Sequence, residues 1–128
     1  ELAFCWILEQ VAQKFGGTKP EDMLAVFHYV ATLAEQIRAL GVFNMILSDG
    51  EHLMSYCSNN LCYITRRAPF GKAKLIDTDV VIDFDKETTA HDVVTVIATR
   101  PLTENEQWHV MQPGNRKLFR LGELLIDL

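Results

Sequence analysis

The apolar residues of the first forty positions recur at helical spacing, which predicts two helices. The first covers residues 1–15 and ends at Gly16-Gly17. The second is predicted over residues 18–40, with Thr18 as its N-cap and Glu21 reaching back to it in a capping box. Two helices joined by so short a turn should be antiparallel neighbours that together cover one face of a sheet.

The two helices differ in how their apolar residues are distributed. The second carries a single stripe, formed by Met23, Phe27, Val30, Leu33, Ala34, Ile37 and Leu40. The first is apolar in nearly every direction, through Leu2, Phe4, Cys5, Trp6, Ile7 and Leu8, and nothing ahead of it can cap its first turn. A helix that is apolar all round is buried on several sides. We therefore expect further chain upstream of Glu1; the alternative is an ordinary helix with a frayed start.

Residues 43–66 are predicted to form a three-stranded meander with two tight turns. Asp49-Gly50 between two apolar runs is the strongest short-range hairpin signal and predicts a type I′ turn. Asn59-Asn60 predicts the second turn, because Asn tolerates positive φ. The implied pairs are Leu47–His52, Met45–Met54, Phe43–Tyr56, Tyr56–Tyr63 and Cys57–Cys62. One face of the meander would then be apolar, formed by Phe43, Met45, Leu47, Met54, Tyr56 and Tyr63.

Strand patterns continue to the last residues of the chain. A strand is predicted at 80–84, a central strand covered on both sides at 93–99, a last hairpin of 108–111 and 117–121 around the turn at 113–115, and an edge strand at 124–126. Two helices followed by mostly antiparallel strands predict an α+β fold. We treat residues 1–128 as one domain or part of one.

Composition narrows the classes of function. The chain is 48% hydrophobic and has a formal net charge of −5, so it lacks the clustered positive charge with which proteins bind nucleic acid. No apolar run approaches the roughly 18 residues of a membrane span. Three cysteines and no visible export signal lead us to expect a cytoplasmic protein.

The residue types that carry chemistry form no recognisable active-site motif. Cys57 and Cys62 could form a disulfide if the Asn59-Asn60 turn is right, but two small buried residues is the better interpretation. The four histidines share no metal-ligand spacing with the cysteines, so neither a metal nor another cofactor is expected. His91-Asp92 is adjacent in a loop, which is weak evidence for an acid–base pair. By motif alone, we assign no catalytic, cofactor-binding or metal-binding residue.

Four segments in a fixed order carry a family resemblance. They are Asn44-Met45-Ile46-Leu47-Ser48-Asp49-Gly50 with Leu53 and Tyr56; Ile64 to Gly71; Val93 to Thr103; and Trp108 with Pro113-Gly114 and Leu118-Phe119. Together they resemble the C-terminal half of the class II glutamine amidotransferases, and most closely the small stand-alone bacterial members. None of the N-terminal half of that family is matched.

The resemblance implies both a fold and an activity. The family is similar to other N-terminal-nucleophile hydrolases, with two antiparallel sheets stacked between two helical layers (αββα). Its members release ammonia from glutamine through an N-terminal cysteine whose α-amine is the base, with an Asn-Gly oxyanion hole and with an Arg and an Asp that hold the substrate. All of these belong to the unmatched half, and Glu1 resembles the Glu that follows the substrate-binding Asp.

Two functions are therefore carried forward. The first is the C-terminal part of a class II glutamine amidotransferase, with glutamine as substrate and the N-terminal half of the same domain as partner. In that case Cys5, Cys57 and Cys62 do not inherit the nucleophile's role, and the chain alone is inactive. The alternative is a self-contained α+β module that binds a ligand or a protein without catalysis.

Overall fold

A computed structural model describes residues 1–16, 20–78, 80–84 and 89–128. The elements within these ranges are α1 Leu2–Phe15, α2 Met23–Arg38, β1 Met45–Ser48, β2 His52–Tyr56, β3 Leu61–Arg67, β4 Lys72–Lys74, β5 Val81–Asp83, β6 Val93–Ala98, β7 His109–Met111, β8 Arg116–Arg120 and β9 Glu123–Asp127. All of the strand pairings among them are antiparallel. The prediction of an α+β fold, with two helices followed by mostly antiparallel strands, is confirmed.

The start of α2 differs from the prediction. Asp22 is the N-cap, and its Oδ1 accepts a hydrogen bond from the backbone N–H of Ala25 at 3.0 Å. The prediction that Thr18 and Glu21 form the capping box of this helix is therefore wrong. Thr18 itself lies outside the described residues. Asp caps a helix at least as well as Thr does, and here it takes that role four residues further along the chain.

The stripe of α2 faces a sheet, as predicted. Phe27, Val30, Leu33 and Ala34 are buried in one cluster with Ile7 of α1 and with residues of β2 and β8. Leu40 is the exception: it follows the end of the helix, and its side chain is 89% exposed.

The first sheet has the strand order β1-β2-β8-β9 and carries the predicted apolar face. Met54 and Tyr56 are fully buried on the helix side, and Met45 and Leu47 of β1 pack beside them. The predicted edge strand at 124–126 is confirmed as β9, which pairs only with β8 among the described strands.

The register of the β1–β2 hairpin is two residues away from the prediction. Leu47 pairs with Met54 and Ser48 with Leu53, so residues 49–51 form the loop between the two strands. The Asp49 carboxylate is the reason: its Oδ1 accepts from the backbone N–H groups of Glu51 at 2.9 Å and His52 at 2.6 Å. Gly50 has φ +94°, but Asp49 is not in the left-handed region, so the turn is not type I′. A shift of two residues leaves every side chain on its predicted face.

Valine at position 50 is expected to lower the free energy of unfolding by about 1–2 kcal/mol. The cause is backbone strain alone, since in the described structure no heavy atom lies within 4 Å of the Cβ that the substitution adds. Urea denaturation of Gly50→Val, beside Gly71→Val as the matched control at a glycine without positive φ, measures this cost. Equal stability of the two variants would contradict the left-handed conformation of residue 50.

β3 was predicted to be the third strand of the meander, but it belongs to the second sheet instead. Its order is β6-β3-β7, and the central strand is β3, whose residues 61–64 are buried. The strand predicted at 93–99 as central is β6, at an edge of this sheet among the described strands, and its Val94 is exposed. The central-strand prediction is therefore wrong, because an apolar run on both faces does not specify how many neighbours a strand pairs with.

The chain changes sheet at two places that lie side by side. Residues 57–60 lead from β2 to β3, and residues 112–115 lead from β7 to β8. The two crossings are joined by hydrogen bonds from Cys57 N–H to the Asn115 carbonyl at 2.9 Å and from Gly114 N–H to the Cys57 carbonyl at 2.8 Å. The turn residues were predicted correctly, with Asn60 at φ +45° and Gly114 at φ +87°. The two hairpins inferred from them, 52–66 and 108–121, are wrong.

Two apolar clusters define three layers. One lies between the helices and the first sheet. The other lies between the two sheets, where Leu53, Phe119 and Leu124 of the first meet Leu61, Tyr63 and Met111 of the second. The order is helices, sheet, sheet, and within the described ranges no helix covers the outer face of the second sheet. The four-layer αββα arrangement stays a prediction.

Candidate functional site

The three cysteines are not arranged as reactive groups. Cys5 is exposed on α1, while Cys57 and Cys62 are buried, and all three are free thiols. The Cys57 Sγ donates to the Met111 carbonyl at 3.6 Å and the Cys62 Sγ to the Ala98 carbonyl at 3.3 Å. Burial raises the pKa of both buried thiols, which disfavours the thiolate form that a nucleophile needs. The interpretation of Cys57 and Cys62 as two buried unbridged residues is confirmed.

Asp49 and His52 form an acid–base pair that closes the β1–β2 loop. Their Oδ2 and Nδ1 atoms are 3.2 Å apart, and the imidazole packs edge-on against Phe27. Burial opposes ionisation of Asp49, but the N–H groups of His52 and Glu51 outweigh it and lower the pKa of the carboxyl. The adjacent Ser48 hydroxyl donates to the His52 carbonyl at 2.6 Å. These polar groups are therefore engaged in holding the loop.

The sequence pair His91-Asp92 does not become an acid–base dyad. The Asp92 carboxylate accepts hydrogen bonds from Thr89, from its backbone N–H at 2.8 Å and from its hydroxyl at 2.7 Å. These bonds lower the pKa of Asp92, and the charge of His91 contributes less. In the described part of the chain, no group of three His, Cys, Asp or Glu side chains is placed to hold a metal ion.

An ion pair that the sequence did not predict holds the segment 103–108 on β3. The guanidinium of Arg66 donates to both carboxylate oxygens of Glu106, at 2.6 and 2.5 Å. The Thr103 hydroxyl donates to Glu106 at 2.6 Å and accepts from the Trp108 indole N–H at 2.9 Å. Both members of the pair are largely buried, so the network positions this segment. No local pattern indicates a pairing across 40 residues.

A second polar cluster joins the end of α2 to the first sheet. Glu35 forms ion pairs with Arg38 at 3.3 Å and with Arg116 at 3.5 Å. The buried Tyr56 hydroxyl lies beside this cluster but has no hydrogen bond of ordinary geometry to the described residues. Burial, followed by the proximity of Glu35, raises the pKa of Tyr56. The cluster contains no nucleophile with a neighbouring base.

The surface with the strongest functional signal is the open edge, which we define as Phe4 and Leu8 of α1 together with strand β1. Phe4 is 49% exposed and Leu8 48%, whereas Ile7, which lines the same grooves, is buried. Grooves of about 340 and 330 Å³ adjoin Phe4, and Leu47 of β1 lines both of them. In the described structure α1 therefore leaves several of its apolar side chains exposed. The open edge is suited to bind another protein segment.

No helix in the described ranges is both long and apolar enough to cross a membrane.

Comparison with known proteins identifies relatives over nearly the whole chain. Residues 1–127 match the family model described as glutamine amidotransferases class-II. YafJ of Escherichia coli (strain K12), provisionally named a glutamine amidotransferase, is 57% identical over 126 residues, which are 98% of this chain and 49% of YafJ. A protein of Haemophilus influenzae with the same provisional name is 41% identical over 128 residues, covering 100% of this chain and 43% of its own.

A solved structure shares the fold. The crystal structure of a predicted glutamine amidotransferase from Pseudomonas aeruginosa PA01 matches with a TM-score of 0.84 and 46% identity, over 98% of this chain and 49% of that one. The chain thus spans about half the length of the relatives that it matches.

Proposed function

Because the chain belongs to the class II glutamine amidotransferases, we propose that it is the C-terminal part of a domain that hydrolyses the side-chain amide of glutamine. The observation that carries the proposal is the match to this family over residues 1–127, together with relatives about twice as long. The finer assignment, to the four-layer N-terminal-nucleophile hydrolases and to the cytoplasm, belongs to the same proposal.

In this proposal the nucleophile lies outside residues 1–128. An N-terminal cysteine, with its own α-amine as base, attacks the amide carbon of glutamine; ammonia leaves and a glutamyl thioester remains. Water then cleaves the thioester, which releases glutamate and restores the thiol. The residues expected to bind glutamine and to stabilise the oxyanion, an Arg, an Asp and an Asn-Gly pair, belong to the remaining half of the domain.

The described half supplies the scaffold. It holds a helical layer and parts of both sheets, each with an apolar core of its own. Its buried thiols, whose pKa is raised by burial, do not replace the missing cysteine. The competing function, a self-contained binding module, is supported by no relative among those matched.

This chain alone is expected to release no ammonia from glutamine, because no thiol in the described residues has a base beside it. Adding the segment of YafJ that this chain does not match is expected to restore hydrolysis, by completing the domain. The measurement is glutamine-dependent ammonia release, assayed through glutamate dehydrogenase.

The control is the Cys57→Ala, Cys62→Ala double variant, which should be as active as the unmodified chain in the mixture. Ammonia release by the chain alone that this double variant abolishes would overturn the proposal. So would a stable mixed complex that remains inactive on glutamine.

A further inference from the structure

We propose that one end of the first sheet binds the same end of a second copy of this chain, with Leu121 of each copy seated in a cleft of the other. We define this surface, the sheet tip, as Gly50 and Glu51 of the β1–β2 loop together with Arg120, Leu121 and Gly122 at the β8–β9 turn. A contact of this kind is isologous, because the same patch serves on both copies around a two-fold axis. It goes beyond the proposed function and does not depend on it.

The β8–β9 turn holds a large apolar residue in an unfavourable backbone conformation. Arg120 pairs with Glu123, so Leu121 and Gly122 are the two central residues of the turn, with φ of +50° and +79°. Turns with positive φ at both positions favour Asn-Gly, and a bulky residue at the first of them is strained. Burial does not compensate Leu121 for this strain, since its side chain is 81% exposed in the described structure. Such an outlier indicates a functional constraint, and what leucine adds over asparagine is apolar contact.

The turn is held firmly against the second sheet. The Gly122 carbonyl accepts a hydrogen bond from the Thr95 hydroxyl at 2.6 Å. The backbone at Gly122 is so close to β6 that an added Cβ would lie 2.2 Å from the Val93 carbonyl oxygen. Leu121 is therefore positioned before any partner arrives, which reduces the entropy lost on binding.

A cleft of about 180 Å³ lies directly beside Leu121, which forms part of its wall. Its apolar lining comes from Leu53, Ile97 and Phe119, at the end of the cluster between the two sheets. A cavity of about 150 Å³ can hold benzene, with six carbons. The cleft therefore has room for the four side-chain carbons of a leucine from another molecule.

The charges at the rim of the cleft select a second copy as the occupant. Glu51 and Arg120 both line the cleft and form an ion pair, and their side chains are each 48% exposed. Around a two-fold axis, Arg120 of each copy would also face Glu51 of the other, so that opposite charges alternate around the two leucines. Because the exposed Leu121 and the cleft are neighbours on one surface, the contact closes after two copies.

The sheet tip is small beside a standard interface of about 800 Å² per partner, so the dimer should form reversibly. Sedimentation velocity over a series of concentrations of this chain should show a sedimentation coefficient that rises with concentration. Leu121→Asn should abolish that rise, since it removes the apolar side chain and places in the turn a residue that favours positive φ. Leu40→Asn, the matched control, changes a leucine that is 89% exposed outside the sheet tip and should behave like the unmodified chain.

An exchange of charges separates contact at the sheet tip from association through any other surface. Arg120→Glu and Glu51→Arg each place like charges together within one copy, but a mixture of the two variants restores opposite charges between copies. A tagged Arg120→Glu chain should therefore capture Glu51→Arg at least about five-fold more than it captures untagged Arg120→Glu.

Three results would overturn the proposal. One is a sedimentation coefficient that does not depend on the concentration of the unmodified chain, or that depends on it equally in Leu121→Asn. Another is equal capture of the two charge variants. The third is a loss of binding to the unmatched segment of YafJ in Leu121→Asn with self-association unchanged, which would assign the sheet tip to that segment instead.

Discussion

Replacing Gly122 with alanine is expected to lower the free energy of unfolding by about 3–5 kcal/mol. Gly122 has φ +79°, and the Cβ of alanine would lie 2.2 Å from the carbonyl oxygen of Val93 and 2.8 Å from its carbonyl carbon. Both are backbone atoms of β6, so no side chain can move to relieve the clash. The Gly122 carbonyl also accepts a hydrogen bond from the Thr95 hydroxyl at 2.6 Å. The substitution would push the β8–β9 turn away from the second sheet.

Gly16→Ala is the matched control for this prediction. Gly16 has nearly the same φ, +77°, but no described heavy atom lies within 4 Å of its added Cβ. Gly16→Ala should lower the free energy of unfolding by about 1 kcal/mol, because only the left-handed backbone is strained. Urea denaturation of the two variants therefore separates the cost of the left-handed backbone from the cost of the clash with β6. Equal losses would mean that the turn after β8 does not touch β6.

Alanine at position 66 is expected to destabilise the chain by about 2–4 kcal/mol. The side chains of Arg66 and Glu106 are only 14% and 18% exposed, so removal of the arginine leaves a largely buried carboxylate whose one remaining partner among the described residues is the Thr103 hydroxyl. Glu104→Gln, which breaks the well-exposed ion pair with Lys74, is the control and should cost less than about 1 kcal/mol. Similar losses in both would show that the Arg66–Glu106 pair is solvated.

The same ion pair predicts a dependence of stability on pH. Arg66 is the largest influence on Glu106 and, with the Thr103 hydroxyl, lowers the pKa of the carboxyl below its ordinary 4.5 against the opposing effect of burial. A carboxyl whose pKa is lower in the folded state stabilises the fold above its unfolded-state pKa and loses that contribution as the pH falls through the folded-state value. The advantage of the unmodified chain over Glu106→Gln should therefore be largest near neutral pH and shrink on acidification below about 4.5. A constant difference between the two would contradict this assignment.

The sequence by itself determined most of the elements and the apolar faces of α2, β1 and β2. The end of α1 near Gly16, the stripe of α2 and the apolar side of β1 and β2 all follow from residues within one or two turns of helix or a few residues of strand. Side-chain periods of 3.6 and 2 are local properties, so they can be read without knowledge of distant partners. The order of the family segments along the chain also indicated the family, for which no single residue is sufficient.

Only the tertiary structure decided which strands pair. The turn signals at 59–60 and 113–115 are real turns, but both carry the chain from one sheet to the other instead of closing a hairpin. A turn residue specifies the local path of the backbone, whereas the sheet that a strand joins depends on apolar partners far away in the sequence. The β1–β2 register likewise depended on how the Asp49 carboxylate bonds within its loop.

The features of the candidate site are likewise of two kinds, those that the sequence predicts and those that only the fold defines. An all-round apolar helix is visible in the sequence, but its exposed side and the strand edge beside it are defined only once α2 and β2 have taken the other side. The Arg66–Glu106 pair joins residues that are distant along the chain and brought together by the fold. The pattern of apolar positions depends on residues that are close in the sequence, so it can be predicted from them. Free edges and buried ion pairs are properties of the packed chain, because each depends on what the remaining residues leave uncovered or bring into contact.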